Sequence, residues 1–348
     1  MGHPFPVDDL ESVLSLTSTL WPNFRDARVF MTGGTGFIGK WLVEVLLHAN
    51  RTLDSRMEVV ILSRNPEKAR SSAPHLFSDR AVSMIAGDVS HFRPSLGKFD
   101  LCIHAATDVG DVGRAKNHRE VFESTVFGTG RVLELAESSG VKRFLLTSSG
   151  AVYGTQPPTL ERMSESFTGA PDPLNPNLAY GNGKRAAEWL SCEAMKRADF
   201  HGSIARIFAL VGPGLPLDGP FAAGNFIRDA LNHRPIQLQG DGRTMRSYLY
   251  MLDACVWLLH ILMNGERGQA YNVGAEDEVS ISELARRVMV ATGDIHPVSA
   301  RPLQDSVLPA RYVPDTTKAR KALSLEQYTS LDTALQKTVQ WSRNAMCT

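Results

Sequence analysis

The run Val29-Phe30-Met31-Thr32-Gly33-Gly34-Thr35-Gly36-Phe37-Ile38-Gly39 constrains this chain more than any other. A short β-rich apolar stretch passes straight into a glycine turn, and the turn opens into a segment with Leu42, Val45 and Leu46 on one helical face. Each glycine has a physical use at this spacing. Gly33 permits the tight turn, Gly36 lets a ligand come against the backbone, and Gly39 lets the helix lie close to the strand. A helix start held in this way offers N–H donors and the positive end of a dipole, so the turn predicts a pyrophosphate cradle that includes Thr35, Phe37 and Ile38. The alternative is a glycine-rich turn that binds nothing, and the strand-turn-helix context weighs against it.

The alternation continues along the chain. Arg28–Thr32, Glu58–Leu62, Val82–Ala86, Leu101–His104, Arg143–Ser148 and Ser203–Phe208 read as strands, with helices at Ile38–Ala49, Val121–Ser138 and Tyr180–Arg197. This is the pattern of an α/β fold with a parallel, doubly wound, Rossmann-type sheet, whose ligand crevice lies at the carboxyl ends of the strands. After Val211, Gly212-Pro213-Gly214-Leu215-Pro216 and Gly219-Pro220 break the alternation, and Gly240-Asp241-Gly242 marks a tight turn. Phe226–Asn232, Leu252–Met263, Ser280–Thr292 and Leu331–Arg343 then read as helices of a smaller, mainly helical lobe, while Ala270–Val273 reads as a strand returning to the sheet edge. The expected division is an N-terminal extension over residues 1–27, a dinucleotide-binding domain over 28–211 and a substrate lobe over 212–348 interleaved with the sheet. Within the extension, Asp8-Asp9-Leu10-Glu11 leads into Val13, Leu14 and Leu16, predicting a short amphipathic helix packed outside the main domain with Asp8 or Asp9 as its cap.

Composition mainly excludes. Lys+Arg and Asp+Glu number 37 each, so no global field recruits nucleic acid or a membrane surface, and any anion site must be local. The cysteines Cys102, Cys192, Cys255 and Cys347 form no CxxC pair, which argues against zinc and against a secreted disulfide framework. His104 and His118 form no metal set with carboxylates and read as ordinary core or surface histidines. No segment approaches a membrane span, and Met1 to Arg25 lack the basic start and apolar run of a signal peptide. A cytoplasmic location is the expectation.

Chemistry is expected where strands end. The second strand runs into Ser63-Arg64 where a ribose-binding carboxylate would stand; a hydroxyl followed by a guanidinium favours the 2′-phosphate of NADP over NAD, although Arg64 equally suits a solvated loop. Asp88-Val89, past the third strand, suits either an adenine contact or a turn cap. The fifth strand ends in Thr147-Ser148-Ser149, and Tyr180 and Lys184 stand four apart on the helix that follows. A lysine ammonium and a positive nicotinamide both stabilise phenolate, so Tyr180 is the expected base toward a hydroxyl, with Ser149 holding the same oxygen and Lys184 lowering the tyrosine pKa.

These residues together resemble the extended branch of the short-chain dehydrogenase/reductase superfamily, the NAD-dependent epimerase/dehydratase family of nucleotide-sugar epimerases, dehydratases, decarboxylases and ketoreductases. The motifs are Thr32–Gly39, Ser148–Gly154, Tyr180 with Lys184, Arg206-Ile207-Phe208 with Gly212-Pro213-Gly214, Asn225-Phe226-Ile227, Gly240–Asp253 and Tyr271-Asn272-Val273-Gly274. The resemblance implies a homodimer, a cofactor also touched by Ala105, Ala106 and Thr147, and a nucleotide-sugar held at its diphosphate by Asn225 and Arg246, with Arg301 a weaker candidate. Arginine forks suit phosphate oxygens. The chain departs from the family at Gly150 and Ala151, where dehydratases and decarboxylases usually carry a glutamate two residues past the catalytic hydroxyl. Ala209 and Thr125 also replace expected asparagines. A 4-keto intermediate with hydride returned to the opposite face is therefore the leading expectation, ahead of 4,6-dehydration or NADPH-dependent 4-keto reduction. A catalytically dead cofactor-binding regulator is the reading from another class.

Overall fold

The computed structural model describes residues 3–106, 117–293, 297–300 and 308–346. Among these, β1 (Arg28–Thr32), β2 (Glu58–Ser63), β3 (Val82–Ala86), β4 (Leu101–His104), β5 (Arg143–Ser149), β6 (His201–Ile207) and β7 (Ala270–Val273) form a seven-stranded sheet in the order β7-β6-β5-β4-β1-β2-β3. Every neighbouring pair is parallel. The central strands are buried on both faces, as their continuous apolar runs require, while β3 at the edge is only partly covered. Val29, Met31, Val59, Ile61, Leu101, Ile103 and Leu145 join one core cluster, while the intervening Phe30, Val60, Cys102, Phe144 and Leu146 join another.

Helices cover both faces: α1 (Val7–Leu16), α2 (Phe37–Leu53), α3 (His118–Ser138), α4 (Ala179–Arg197), α5 (Ala222–Leu231), α6 (Met251–Asn264), α7 (Ile281–Thr292) and α8 (Leu331–Met346). α2 and α6 contribute Leu42, Val45, Val256 and Leu259 to the first cluster, and α3 and α4 contribute Val132, Leu135, Ala187 and Met195 to the second. Side chains fix several helix starts. Asn117 accepts from the Glu120 N–H at 3.4 Å to open α3, and Ser280 accepts from the Glu283 N–H at 3.1 Å to open α7, which closes on Gly293 in the left-handed region at φ 70°. Strand order reverses between β1 and β4, so the turn after β1 and the chain leaving β4 flank one crevice.

Two expectations change. The N-cap of α1 is Pro6, not Asp8 or Asp9, and the helix does not lie outside the main domain: Leu10, Val13 and Leu14 are buried in the same cluster as β1 and α6. Asp9 is buried because it has a different task, accepting from the Tyr250 hydroxyl at 2.6 Å and pairing with Lys337 of α8. The C-terminal part of the chain also carries small ladders that the pattern did not predict. Met245–Ser247 pairs antiparallel with Glu278–Ser280 and parallel with Arg311–Tyr312. Strands of two or three residues are too short to show a period of two. No helix among the described residues is long and apolar enough to cross a membrane.

Candidate active site

The turn after β1 is built as a cradle. Gly33 sits at φ 71°, and a Cβ there would stand 2.4 Å from the Ala105 carbonyl oxygen. A Cβ on Gly39 would stand 2.1 Å from the Gly33 carbonyl oxygen, so no side chain fits at either position. Gly36 is the N-cap of α2 and supplies no side chain, leaving the first-turn N–H groups at Phe37 and Ile38 aimed out of the helix start beside Thr35. Ala105 and Ala106 hang from Thr32, the first through its carbonyl at 3.1 Å and the second through its hydroxyl at 3.2 Å. A helix start without a side-chain cap, beside glycines that admit no Cβ, suits a dinucleotide pyrophosphate.

The other predicted cofactor positions gather at the same edge of the sheet. Ser63 ends β2, is buried, and accepts from the Asn65 N–H at 3.3 Å. Arg64 follows it, exposed. Burial pushes the Asp88 carboxyl up, but Ser90, His91 and the charge of Arg64 together outweigh it and hold the group low, with the Ser90 N–H donating to Asp88 at 2.9 Å. Asp88 is thus a turn cap in the chain itself, while Val89 packs against Gly128 of α3. His104 is a satisfied core histidine between Thr32 at 2.7 Å and Thr129 at 3.0 Å, and burial lowers its pKa to about 3.

Ser149 is the last residue of β5, and its Oγ accepts from the Ala151 N–H at 3.2 Å as the chain turns. Tyr180 stands in the first turn of α4, near enough for Ser149 to lower its phenol pKa. Lys184, one turn along, is buried and donates from Nζ to the Thr147 carbonyl at 2.7 Å. The three residues read from spacing therefore meet at one strand end. The expected acidification of Tyr180 by Lys184 is absent from the chain alone. Burial raises the phenol, Ser149 pulls it back in part, and the ammonium is turned onto Thr147. Burial also brings Lys184 down to about 8, opposed by the Glu188 carboxylate.

Behind the site lies a buried polar chain that sequence reasoning missed. Glu188 accepts from Ser148 at 2.6 Å and from Arg206 at 2.7 Å; Arg206 in turn donates to the Tyr153 hydroxyl at 2.9 Å, which donates to Asn272 at 2.8 Å. The placement of Glu188 four residues past Lys184 was the available signal. Arg246 is partly buried, donates to its neighbour Met245's carbonyl at 3.0 Å and lies 5.4 Å from the Tyr312 ring centroid, with no carboxylate paired to it among the described residues. A guanidinium so placed can accept an anionic group. Asn225, in the first turn of α5, accepts from Arg228 at 3.2 Å, and no hydrogen bond among the described residues joins it to Ser149, Tyr180 or Lys184. Arg301 lies outside the described residues. Thr125 and Ala209 are accounted for locally: Thr125 donates to the Val121 carbonyl at 2.7 Å, and the Ala209 carbonyl accepts from Leu249 at 3.0 Å.

Residues 29–274 match the NAD dependent epimerase/dehydratase family. UDP-glucuronic acid decarboxylase 2 of Arabidopsis thaliana is 32% identical over 307 residues, 88% of this chain and 66% of the relative, so the chain spans about two-thirds of that relative's length. Among solved structures, MoeE5 in complex with UDP-glucuronic acid and NAD is 26% identical with a TM-score of 0.74, covering 91% of this chain and 99% of its own. UDP-glucose 4-epimerase of Thermotoga maritima shares the fold at a TM-score of 0.77 and 22% identity, covering 92% of this chain and 99% of its own.

Proposed function

Because the chain belongs to the NAD dependent epimerase/dehydratase family, an NAD-dependent family of enzymes, we propose that it is a 4-epimerase of a UDP-linked hexose or hexuronic acid. The observation that carries this reading is the meeting of Ser149, Tyr180 and Lys184 at the carboxyl end of β5, with Ala151 where a proton-moving acid would stand. Bound in the Gly33–Gly39 cradle, a nicotinamide would supply a reversible hydride acceptor and a positive charge near Tyr180. Tyr180 takes the proton of the C4 hydroxyl, and Ser149 holds the same oxygen. Lys184 keeps its charge beside the ribose and Thr147. Arg246 faces the anionic part of the substrate, and the methyl of Ala151 can move no proton at a neighbouring carbon.

The reaction leaves the cofactor unchanged overall. Turnover with UDP-glucose or UDP-glucuronic acid is expected to give the C4 epimer by NMR with no net change in reduced-cofactor absorbance, and steady NADPH consumption would overturn the reading. The 32% identity to a UDP-glucuronic acid decarboxylase favours a second reading, C4 oxidation followed by loss of carbon dioxide. Release of labelled carbon dioxide from carboxyl-labelled UDP-glucuronic acid would select it.

Cofactor choice follows from β2. With Ser63-Arg64 at its end, NADP binds better than NAD on this reading, and Arg64→Ala raises the NADP Kd about tenfold or more while sparing NAD. Calorimetry with both nucleotides decides, since an equal loss for each would return Arg64 to the role of a loop residue. We further propose a homodimer through α3 and α4, where Phe122, Phe127 and Trp189 are exposed on the outer surface. Small-angle scattering at micromolar concentration is expected to give the dimer mass, and a monomer would remove the proposal. Cys102, Cys192 and Cys255 carry free thiols, which suits a reducing cytoplasmic setting.

A further inference from the structure

The segment before β1 carries no chemistry of its own, yet it folds back onto the helix that follows the glycine turn. Phe5 is buried, and its ring lies flat on Trp41 of α2, with centroids 4.4 Å apart and an interplanar angle of 11°. Its backbone N–H donates to both carboxylate oxygens of Glu44, also buried on α2, at 3.3 Å each. On another side stands Gly214, where an added Cβ would come within 3.0 Å of the Phe5 ring. That turn is tied to α2 a second time, since Trp41 Nε1 donates to the Pro213 carbonyl at 2.8 Å. Trp341 of α8 anchors the segment, with Nε1 donating to the Pro4 carbonyl at 2.9 Å and its ring centroid 5.9 Å from that of Phe5.

The start of α2 needs such support. A side-chain cap ordinarily holds the first turn of a helix. Gly36 supplies none, and a cap would occupy N–H groups that a pyrophosphate must reach. The first bond of the helix runs from the Lys40 N–H to the Gly36 carbonyl at 2.9 Å, and Trp41 is the next residue. Packing on Trp41 therefore acts where the open first turn joins the rest of α2.

We propose that Phe5 is a positioning residue of the dinucleotide site: packed against Trp41 and the Pro213-Gly214 turn, it holds the uncapped first turn of α2 in the orientation that presents the Phe37 and Ile38 N–H groups. A task that no side chain at position 36 performs is thus carried by an aromatic ring from outside the sheet. The inference rests on the Gly33–Gly39 turn as the nucleotide site, which belongs to the proposed function, and not on the reaction at the sugar.

Two readouts test it: amide hydrogen exchange at Lys40–Val43 with no nucleotide present, and the NAD Kd by calorimetry well below the melting temperature. Phe5→Ala is expected to speed exchange at these amides and to raise the NAD Kd about five- to tenfold. Leu284→Ala opens a comparable gap at a fully buried leucine of α7, which packs on α5 and α8. It is expected to lower the melting temperature to a similar degree and to leave both readouts at wild-type values. Phe5→Leu keeps an apolar side chain at the junction without the flat stack; it serves should Phe5→Ala fail to fold, and is expected to shift both readouts the same way by less. Wild-type exchange in both Phe5 variants, or a Leu284→Ala protein that moves the readouts as far as Phe5→Ala does, would overturn the proposal. Faster exchange beside an unchanged Kd would overturn it as well. A wild-type chain that binds no NAD while the exchange difference persists loses the nucleotide reading of the turn, whereas one that binds NAD with exchange indifferent to Phe5 loses only this inference.

Discussion

Replacing Tyr180 by phenylalanine is expected to lower kcat by about 10²- to 10⁴-fold while KM stays within a few-fold, because the change removes one proton acceptor and almost no volume. The site geometry makes this the most damaging single-atom deletion in the chain. Tyr180 is the phenol that meets Ser149 from α4, and Lys184 is engaged with Thr147, so no other base among the described residues is expected at the same substrate oxygen. The pH profile supplies a second check. Lys184 is held near 8 by burial and loses its proton as the pH rises through that value, so kcat/KM is expected to fall on the alkaline side from about pH 8. Rapid-quench turnover with the preferred sugar measures the first effect, and a Tyr180→Phe variant retaining a tenth of wild-type kcat would remove Tyr180 from the base role.

Gly39→Ala is expected to be the most disruptive change in the cradle. Its methyl would meet two backbone groups, the Gly33 carbonyl oxygen at 2.1 Å and the Gly34 Cα at 2.6 Å, and neither can swing aside as a flexible side chain would. Overpacking against backbone at this range costs about 3 kcal/mol or more, so the variant should melt several degrees lower and bind no nucleotide. Gly36→Ala is the informative contrast. Its methyl meets only the Gly33 oxygen at 3.3 Å, so the fold should survive within about 1 kcal/mol while nucleotide affinity falls, because a methyl now projects into the ligand's approach. Thermal melts with and without NAD separate the two effects, and a Gly39→Ala protein with a wild-type melt and nucleotide response would remove the cradle argument.

Most of the sheet was legible because its central strands are short continuous apolar runs buried on both faces and the helices between them repeat every three to four residues. The glycine turn was legible because its steric demands appear directly as missing side chains. The neighbouring placement of Ser149, Tyr180 and Lys184 could be expected because a strand end and the start of the helix that follows lie on the same edge of a parallel sheet. Tyr312 had no such signature: it is one tyrosine on a two-residue strand paired with Met245–Ser247, and its hydroxyl comes to rest beside Gly150. Gly150 reads in the sequence as part of a missing acid, whereas the structure gives it a packing reason, the Tyr312 hydroxyl and the Phe208 ring filling the space beside it. The burial of Asp9 was equally hidden, since its partners Tyr250 and Lys337 are fixed by tertiary contacts and not by any local repeat.

That buried carboxylate bears on how the chain emerges from the ribosome. Asp9 is synthesised early, and its ammonium partner follows 328 positions later. The β7 strand that completes one edge of the sheet also follows its neighbour β6 by more than sixty positions. A chain without its later segments would therefore leave that sheet edge unpaired and Asp9 without its ammonium partner.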